Sequence, residues 1–230
     1  MQTKTKGIVI SYIKYSETSI IAKIFTEKYG IQSFMINGVR SKSSKNKIAL
    51  FQPLTQLEIV LNYKESKNIQ RLTEVKCTNL CLNIIQDFYK SCIALFISEL
   101  LQKITLHQDT DKELFGFLTL QIKNLEKANK NESSWIPIYF LLGLCKVQGF
   151  LPMSIHEISS QLDFNQKSNF KKYNIQIELA IHSIIVENKL PIISSELKKE
   201  LFQYLLYYYK QMIGNFGELK SLQVLKEIIN

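Results

Sequence analysis

The chain has 230 residues, 46% of them apolar, and carries 29 Lys and Arg against 20 Asp and Glu, a formal charge of +9. That length suits one large domain or two small ones with a real core. The charge favours an anionic partner (nucleic acid, an acidic protein or a membrane surface), and four cysteines without paired spacing argue against an extracellular disulfide scaffold.

In chain order, five β-rich runs come first: GIVISYI (7–13), SIIAKIF (19–25), GIQSFMI (30–36), LTQLEIVL (54–61) and IQRLTEV (69–75). Ile20, Ala22 and Ile24 share one face of the second run. In the fourth, Leu57, Ile59 and Leu61 oppose Glu58 and Asn62. That is the period of a half-buried strand. Five short strands within 75 residues are too few for a sandwich and suit a small barrel.

The period lengthens near residue 76. From Asn79 to Thr105, Cys81, Ile85, Phe88, Cys92, Phe96 and Leu100 recur at threes and fours, which predicts one long amphipathic helix. A second is expected over 111–129, with Thr110 or Asp109 as its cap. A third is expected over 135–148, capped by Ser134 and closed by Gly149. Residues 152–173 read as irregular, with at most one short helix. Helices resume at 194–213 and end with 217–229. The expected fold is α+β, a five-stranded OB-type barrel over 1–76 and a helical domain over 77–230.

Charge divides along the same boundary. Residues 1–75 hold 12 cations and 5 acids, whereas 76–230 hold 17 and 15. No acid lies between Glu27 and Glu58, and INGVRSKSSKNKIALFQPL (36–54) carries Arg40, Lys42, Lys45 and Lys47. Unpaired like charges in one bend repel each other, and a phosphate backbone would relieve that repulsion and release counterions. Small barrels of this kind bind single strands along a basic groove with aromatic stacking. Tyr12, Tyr15, Tyr29, Phe34, Phe51 and Tyr63 lie in or beside these strands. Arg40 is the strongest single candidate, since a guanidinium stacks and binds phosphate bidentately. Arg71, with Lys64 and Lys67, is a candidate second edge.

Other chemistry finds less support. The four cysteines lack the paired spacing of a zinc site. Asp109, Asp111 and Glu113 fall in one helix-start segment, where they favour the helix dipole over Mg²⁺. GNFGELKS (214–221) lacks the order of a phosphate loop. Leu201, Tyr204, Leu205 and Tyr208 read as a packed stripe. No metal, cofactor or catalytic residue is expected. The amino-terminal apolar run is too short for a signal peptide, and Trp135 to Cys145 is too short to span a bilayer, so a cytoplasmic protein is expected.

The sequence also resembles a known family. Gly7-Ile8-Val9, Tyr15-Ser16-Glu17, Phe25-Thr26 leading to Tyr29-Gly30, the Gly38-Val39-Arg40 turn and Pro53-Leu54 resemble the start of the bacterial recombination mediator family RecO. FISELL (96–101), GFLP (149–152) and ELKSLQVLKEII (218–229) resemble its later segments. The resemblance implies an oligonucleotide-binding barrel, a helical second domain and no covalent catalysis. It implies annealing of single strands and, with RecR, loading of RecA on DNA coated by single-strand-binding protein, whose acidic carboxy-terminal tail it contacts. Single- and double-stranded DNA are the implied ligands. Arg40, Lys42, Lys45 and Lys47 match the family's DNA-contacting turn. FLPMSIHEISSQLDFNQKSNFKKY holds no cysteine, so the four-cysteine zinc module of many members is absent or replaced. The alternative is an interaction scaffold whose basic barrel docks on an acidic protein.

Overall fold

Alternating apolar side chains roll the first part of the chain into a barrel. The computed structural model describes residues 2–41, 47–104, 110–152, 154–161, 164–187, 189–214 and 217–228. It divides into two compact units, 1–127 and 128–230.

In the first unit, β1 (Thr3–Tyr15), β2 (Ser19–Thr26), β3 (Gly30–Ile36), β4 (Gln56–Leu61) and β5 (Ile69–Asn79) close in the order β1-β2-β3-β5-β4. Only β3 and β5 run parallel. This is the expected OB-type barrel. Ile20, Ala22, Ile24, Phe34, Ile59 and Leu61 fill it and are fully buried. Gly7 pairs with Thr26 on β2 and with Leu57 on β4, where the barrel packs tightly. A Cβ at Gly7 would meet Ile24 Cγ2 at 2.7 Å.

A bulge between Val9 and Ser11 puts both Val9 and Ile10 out of solvent, Val9 inside the barrel. The Ile10 carbonyl accepts a hydrogen bond from the Ser98 hydroxyl on the helix packed against β1. The predicted single helix over 79–105 is two helices. β5 extends to Asn79, and α1 (Leu82–Gln86) and α2 (Phe88–Ile104) are separated by an extended Asp87. The Asp87 carboxylate accepts from the Lys90 amide at 3.0 Å, which restarts the helix. α3 (Lys112–Lys127) is capped by Asp111, which accepts from Leu114 N–H at 2.8 Å; of the expected caps, Thr110 is not used and Asp109 lies outside the described residues. Phe115 of α3 meets Phe25 of β2 edge-on, 5.5 Å between ring centres.

In the second unit, α4 (Lys130–Val147) starts five residues before the expected position. Asn129 and Glu132 form a reciprocal capping box there. Ser134, the expected cap, is buried inside the helix, and its hydroxyl donates to the Asn131 carbonyl. Gly149, with φ of +80°, ends α4 as expected. The Gly149 and Phe150 amides donate to the Lys146 and Cys145 carbonyls. The stretch read as irregular holds α5 (Ile155–Ser160) and the start of α6 (Phe164–Ile185). Farther along α6, apolar residues occupy both sides: Ile177, Ala180, Ile181 and Ile184 are buried, while Ile175 and Leu179 are exposed. α7 (Ser195–Ile213) is capped by the Ser194 hydroxyl, and α8 (Leu222–Ile228) is shorter than predicted. The α7 stripe is core, as expected. Tyr209 donates to Gln148 Oε1 at 2.6 Å and Tyr208 to the Phe150 carbonyl at 2.9 Å. Among the described residues, no helix is long and apolar enough to cross a membrane.

Candidate nucleic-acid interface

The β3–β4 connection is held at both feet by apolar anchors. Gly38 turns the chain with φ of +72°, and Val39 then inserts into the barrel core. At the far foot, a short 3-10 turn over Ile48–Phe51 inserts Phe51. Lys42 and Lys45 lie outside the described residues. Arg40 is half-buried. Its amide donates to the Thr18 carbonyl at 3.0 Å and its guanidinium Nη1 to the Ser16 carbonyl at 3.1 Å. Arg40 therefore clasps the β1–β2 turn, and among the described residues its guanidinium makes this one hydrogen bond of the five its N–H groups can donate.

Arg71 enters through strand register. Met35 on β3 pairs with Arg71 on β5, and this puts Arg71 beside the end of β3. A cleft of about 440 Å³ opens there, with Asn37, Lys47, Arg71, Thr73 and Glu74 on its walls and Phe51 in its floor. Two of the sequence-predicted residues, Lys47 and Arg71, thus meet in one cleft. Arg40 sits apart from them, against the β1–β2 turn. Among the described residues no carboxylate lies within 4 Å of the side chains of Arg40, Lys47 or Arg71. Glu74 was not foreseen in this cleft, and it sets an anionic limit on the positive field.

The barrel's outer face adds further residues that sequence reasoning missed. Ile13 pairs with Ile21, Ile21 with Met35, and Met35 with Arg71. This row of apolar side chains runs across four strands to Arg71, and Ile13 is 64% exposed. One row over, Ser11, Lys23 and Ser33 are aligned. The signal was present in the odd-numbered positions of β2, which alternate with the core set, whereas in β1 the odd positions turn outward only after the bulge past Val9. Of the candidate aromatics, Phe34 and Phe51 are core, Tyr15 is exposed, and Tyr12, Tyr29 and Tyr63 are half-buried. Hydrophobic edges beside cations suit a strand whose bases stack or lie flat and whose phosphates are neutralised.

Elsewhere the titratable groups are structural. Cys81, Cys92 and Cys145 are buried. Burial pushes the Cys145 thiol up to about 12 and, with Glu126 and Cys77 nearby, the Cys81 thiol up to about 11. Among the described residues, no three His, Cys, Asp or Glu side chains converge to hold a metal.

A closed five-stranded barrel in this strand order, followed by helices, defines an OB-fold protein. The family model described as Recombination protein O N terminal matches residues 1–81, and Recombination protein O C terminal matches 85–177. The chain is 34% identical to DNA repair protein RecO of Flavobacterium psychrophilum and 30% identical to that of Flavobacterium johnsoniae, each over the full length of both chains. It is 26% identical to DNA repair protein RecO of Phocaeicola vulgatus, again over both full lengths. The chain belongs to the RecO family of DNA repair proteins.

Proposed function

We propose that this protein is a mediator of DNA repair and recombination in the cytoplasm that binds single-stranded DNA on its barrel, anneals complementary strands and, with RecR, helps load RecA onto DNA coated by single-strand-binding protein. The observation that supports this reading best is the meeting of Lys47 and Arg71 in one cleft, without an ion pair within 4 Å among the described residues. An unneutralised cation pair beside an apolar row takes up phosphates with counterion release. Shielding of two backbones then lets complementary bases pair, and no covalent step is needed. Lys42 and Lys45 extend the same connection and are proposed as further phosphate contacts. Duplex DNA, the product of annealing, is a second ligand.

RecR and the acidic tail of single-strand-binding protein are the proposed protein partners. The α7 tyrosine stripe does not supply the tail's groove, because it is core and Lys198 is committed to Ser134 and Trp135. The test is annealing of naked complementary strands, followed by gel or fluorescence, at several salt concentrations. Acceleration that weakens steeply with salt supports the reading. Binding to an acidic peptide with unaltered annealing rates would replace it with a scaffold role.

A further inference from the structure

The end of the barrel away from the β3–β4 connection carries Lys28, Lys64 and Lys67, with Glu27 and Glu65 beside them, on turns whose backbone is pinned. Because β1, β3 and β5 run one way and β2 and β4 the other, the β2–β3 and β4–β5 turns share one end. The β1–β2 turn and the β3–β4 connection share the opposite end. At the first end Tyr29 and Tyr63 stack with ring centres 4.2 Å apart and planes 15° from parallel, which locks the two turns together. Gln70, 2% exposed, uses both ends of its amide on the β4–β5 turn. Its Oε1 accepts from the Lys64 amide at 3.1 Å, and its Nε2 donates to the Lys64 and Lys67 carbonyls at 2.8 and 2.7 Å. The β2–β3 turn is fixed too, since the Lys28 amide donates to Thr5 Oγ1 at 3.3 Å and the Tyr29 amide to Thr26 Oγ1 at 3.0 Å.

The outcome is a preformed platform with the exposed side chains of Lys28, Lys64 and Lys67 around a half-buried tyrosine pair. Among the described residues, none of the three lysines has a carboxylate within 4 Å. Lys4, by contrast, is already paired with Glu58 at 2.7 Å. Burying a glutamine to shape a turn whose charges are then left unpaired serves a ligand better than it serves the fold. We propose that Lys28, Lys64 and Lys67, around the Tyr29–Tyr63 pair, form a second phosphate-binding site that holds a second DNA strand while the Lys47–Arg71 cleft holds the first. This rests on the annealing function proposed above and supplies what annealing needs, two strands on one chain at once.

The test uses the full chain and two oligothymidylates of different length, which cannot pair with each other. Native mass spectrometry reads how many strands one chain carries, and stopped-flow fluorescence reads annealing of a complementary pair. The wild type should form the complex of one chain with both strands. The Lys28→Gln, Lys64→Gln, Lys67→Gln triple variant should keep first-strand affinity within about twofold, lose the two-strand complex and anneal at least tenfold more slowly. Three phosphates lost should also flatten the salt dependence of second-strand binding by about 2 in log–log slope. These exposed lysines lie outside the core, and Gln70→Leu provides a second variant that frees the turn without removing charge; it should weaken the second strand alone. A wild type that carries one strand and never two overturns the proposal and leaves strand binding standing. A triple variant that loses both strands equally overturns it in favour of one continuous track. Occupation of this end by polyglutamate but not by a second strand also overturns it. A wild type that binds no strand sinks the underlying function instead.

Discussion

Arg40 reaches back to the carbonyl of Ser16, 3.1 Å from its Nη1, while its own amide is held by Thr18. Ser16 has φ of +54°, so the clasp also fastens a turn whose backbone is in the left-handed region. Arg40→Ala should lower stability by about 1 kcal/mol or less, the worth of one half-exposed hydrogen bond. It should cost DNA affinity no more than one phosphate's share, about 0.7 in salt slope. Thermal melts and salt titrations check both. A larger slope change would make Arg40 a principal contact in place of a clasp.

Lys47 and Arg71 are the stronger test of the cleft. Replacing both with alanine should reduce the slope of log affinity against log salt by about 1.4, since two phosphates are lost. Glu74→Gln should act the other way, because it removes the acid from the same cleft wall. An unchanged slope in the double variant would remove this cleft from the binding surface.

Gly7→Ala should destabilise the barrel by about 1–3 kcal/mol, the usual cost of forcing an extra methyl into a packed core. Ile24, whose Cγ2 stands 2.7 Å from the new Cβ, is fully buried and β-branched, so it has little room to yield. Denaturant unfolding reads the loss. Gly7→Ala combined with Ile24→Val should recover part of it, because the valine is smaller in the same crowded strand pair.

Alkaline pH should weaken the fold. Burial raises the thiols of Cys81 and Cys145 to about 11 and about 12, and raises the Tyr139, Tyr208 and Tyr209 hydroxyls above their ordinary range. Groups whose folded values are raised stabilise fully below their unfolded values and lose that contribution above them. The loss therefore starts near pH 9 for the thiols and near 10 for the tyrosines. Lys198 acts in the opposite sense, since burial, with Lys199 nearby, lowers its value. Its penalty is present when it is charged and fades as pH rises toward 10.5. Thermal melts should show net loss above pH 9, steeper in Lys198→Met. At pH 7 that variant should be as stable as the wild type or more so, because Lys198 sits buried against Trp135 and Ser134 with no carboxylate within 4 Å among the described residues.

Helix boundaries show where local pattern stops being informative. Periodicity continues smoothly through Asp87, yet the helix breaks there and Asp87 caps its restart. α3 contributes too: Glu126 accepts from the Asn83 and Ile84 amides at 3.0 Å each, and Lys90 Nζ donates to the Glu126 carbonyl at 2.9 Å. A residue some 40 positions away thus caps the start of α1, which no residue of the window 79–105 announces, whereas the restart of the helix after Asp87 is a local cap. Ser134 misled for a related reason. Its type suits a cap, but Asn129 and Glu132 formed the better reciprocal pair five residues earlier.

The barrel was legible because strand period is a property of neighbours. Ile20, Ala22 and Ile24, or Leu57, Ile59 and Leu61, declare their common face without reference to any other strand, and the excess of cations before residue 76 is a matter of counting. Which charges act together is a different kind of fact. Arg71 joins Lys47 only because β5 lies parallel to β3 and registers Met35 against it, and Glu74 enters the same cleft for the same reason. Lys64 and Lys67 are mounted only because a glutamine three residues on folds its amide back into their turn. Side-chain alternation is local and survives in the sequence; strand register is long-range and exists only once the chain has closed, and a glutamine's fold-back into its own turn, though near in sequence, has no pattern that marks it.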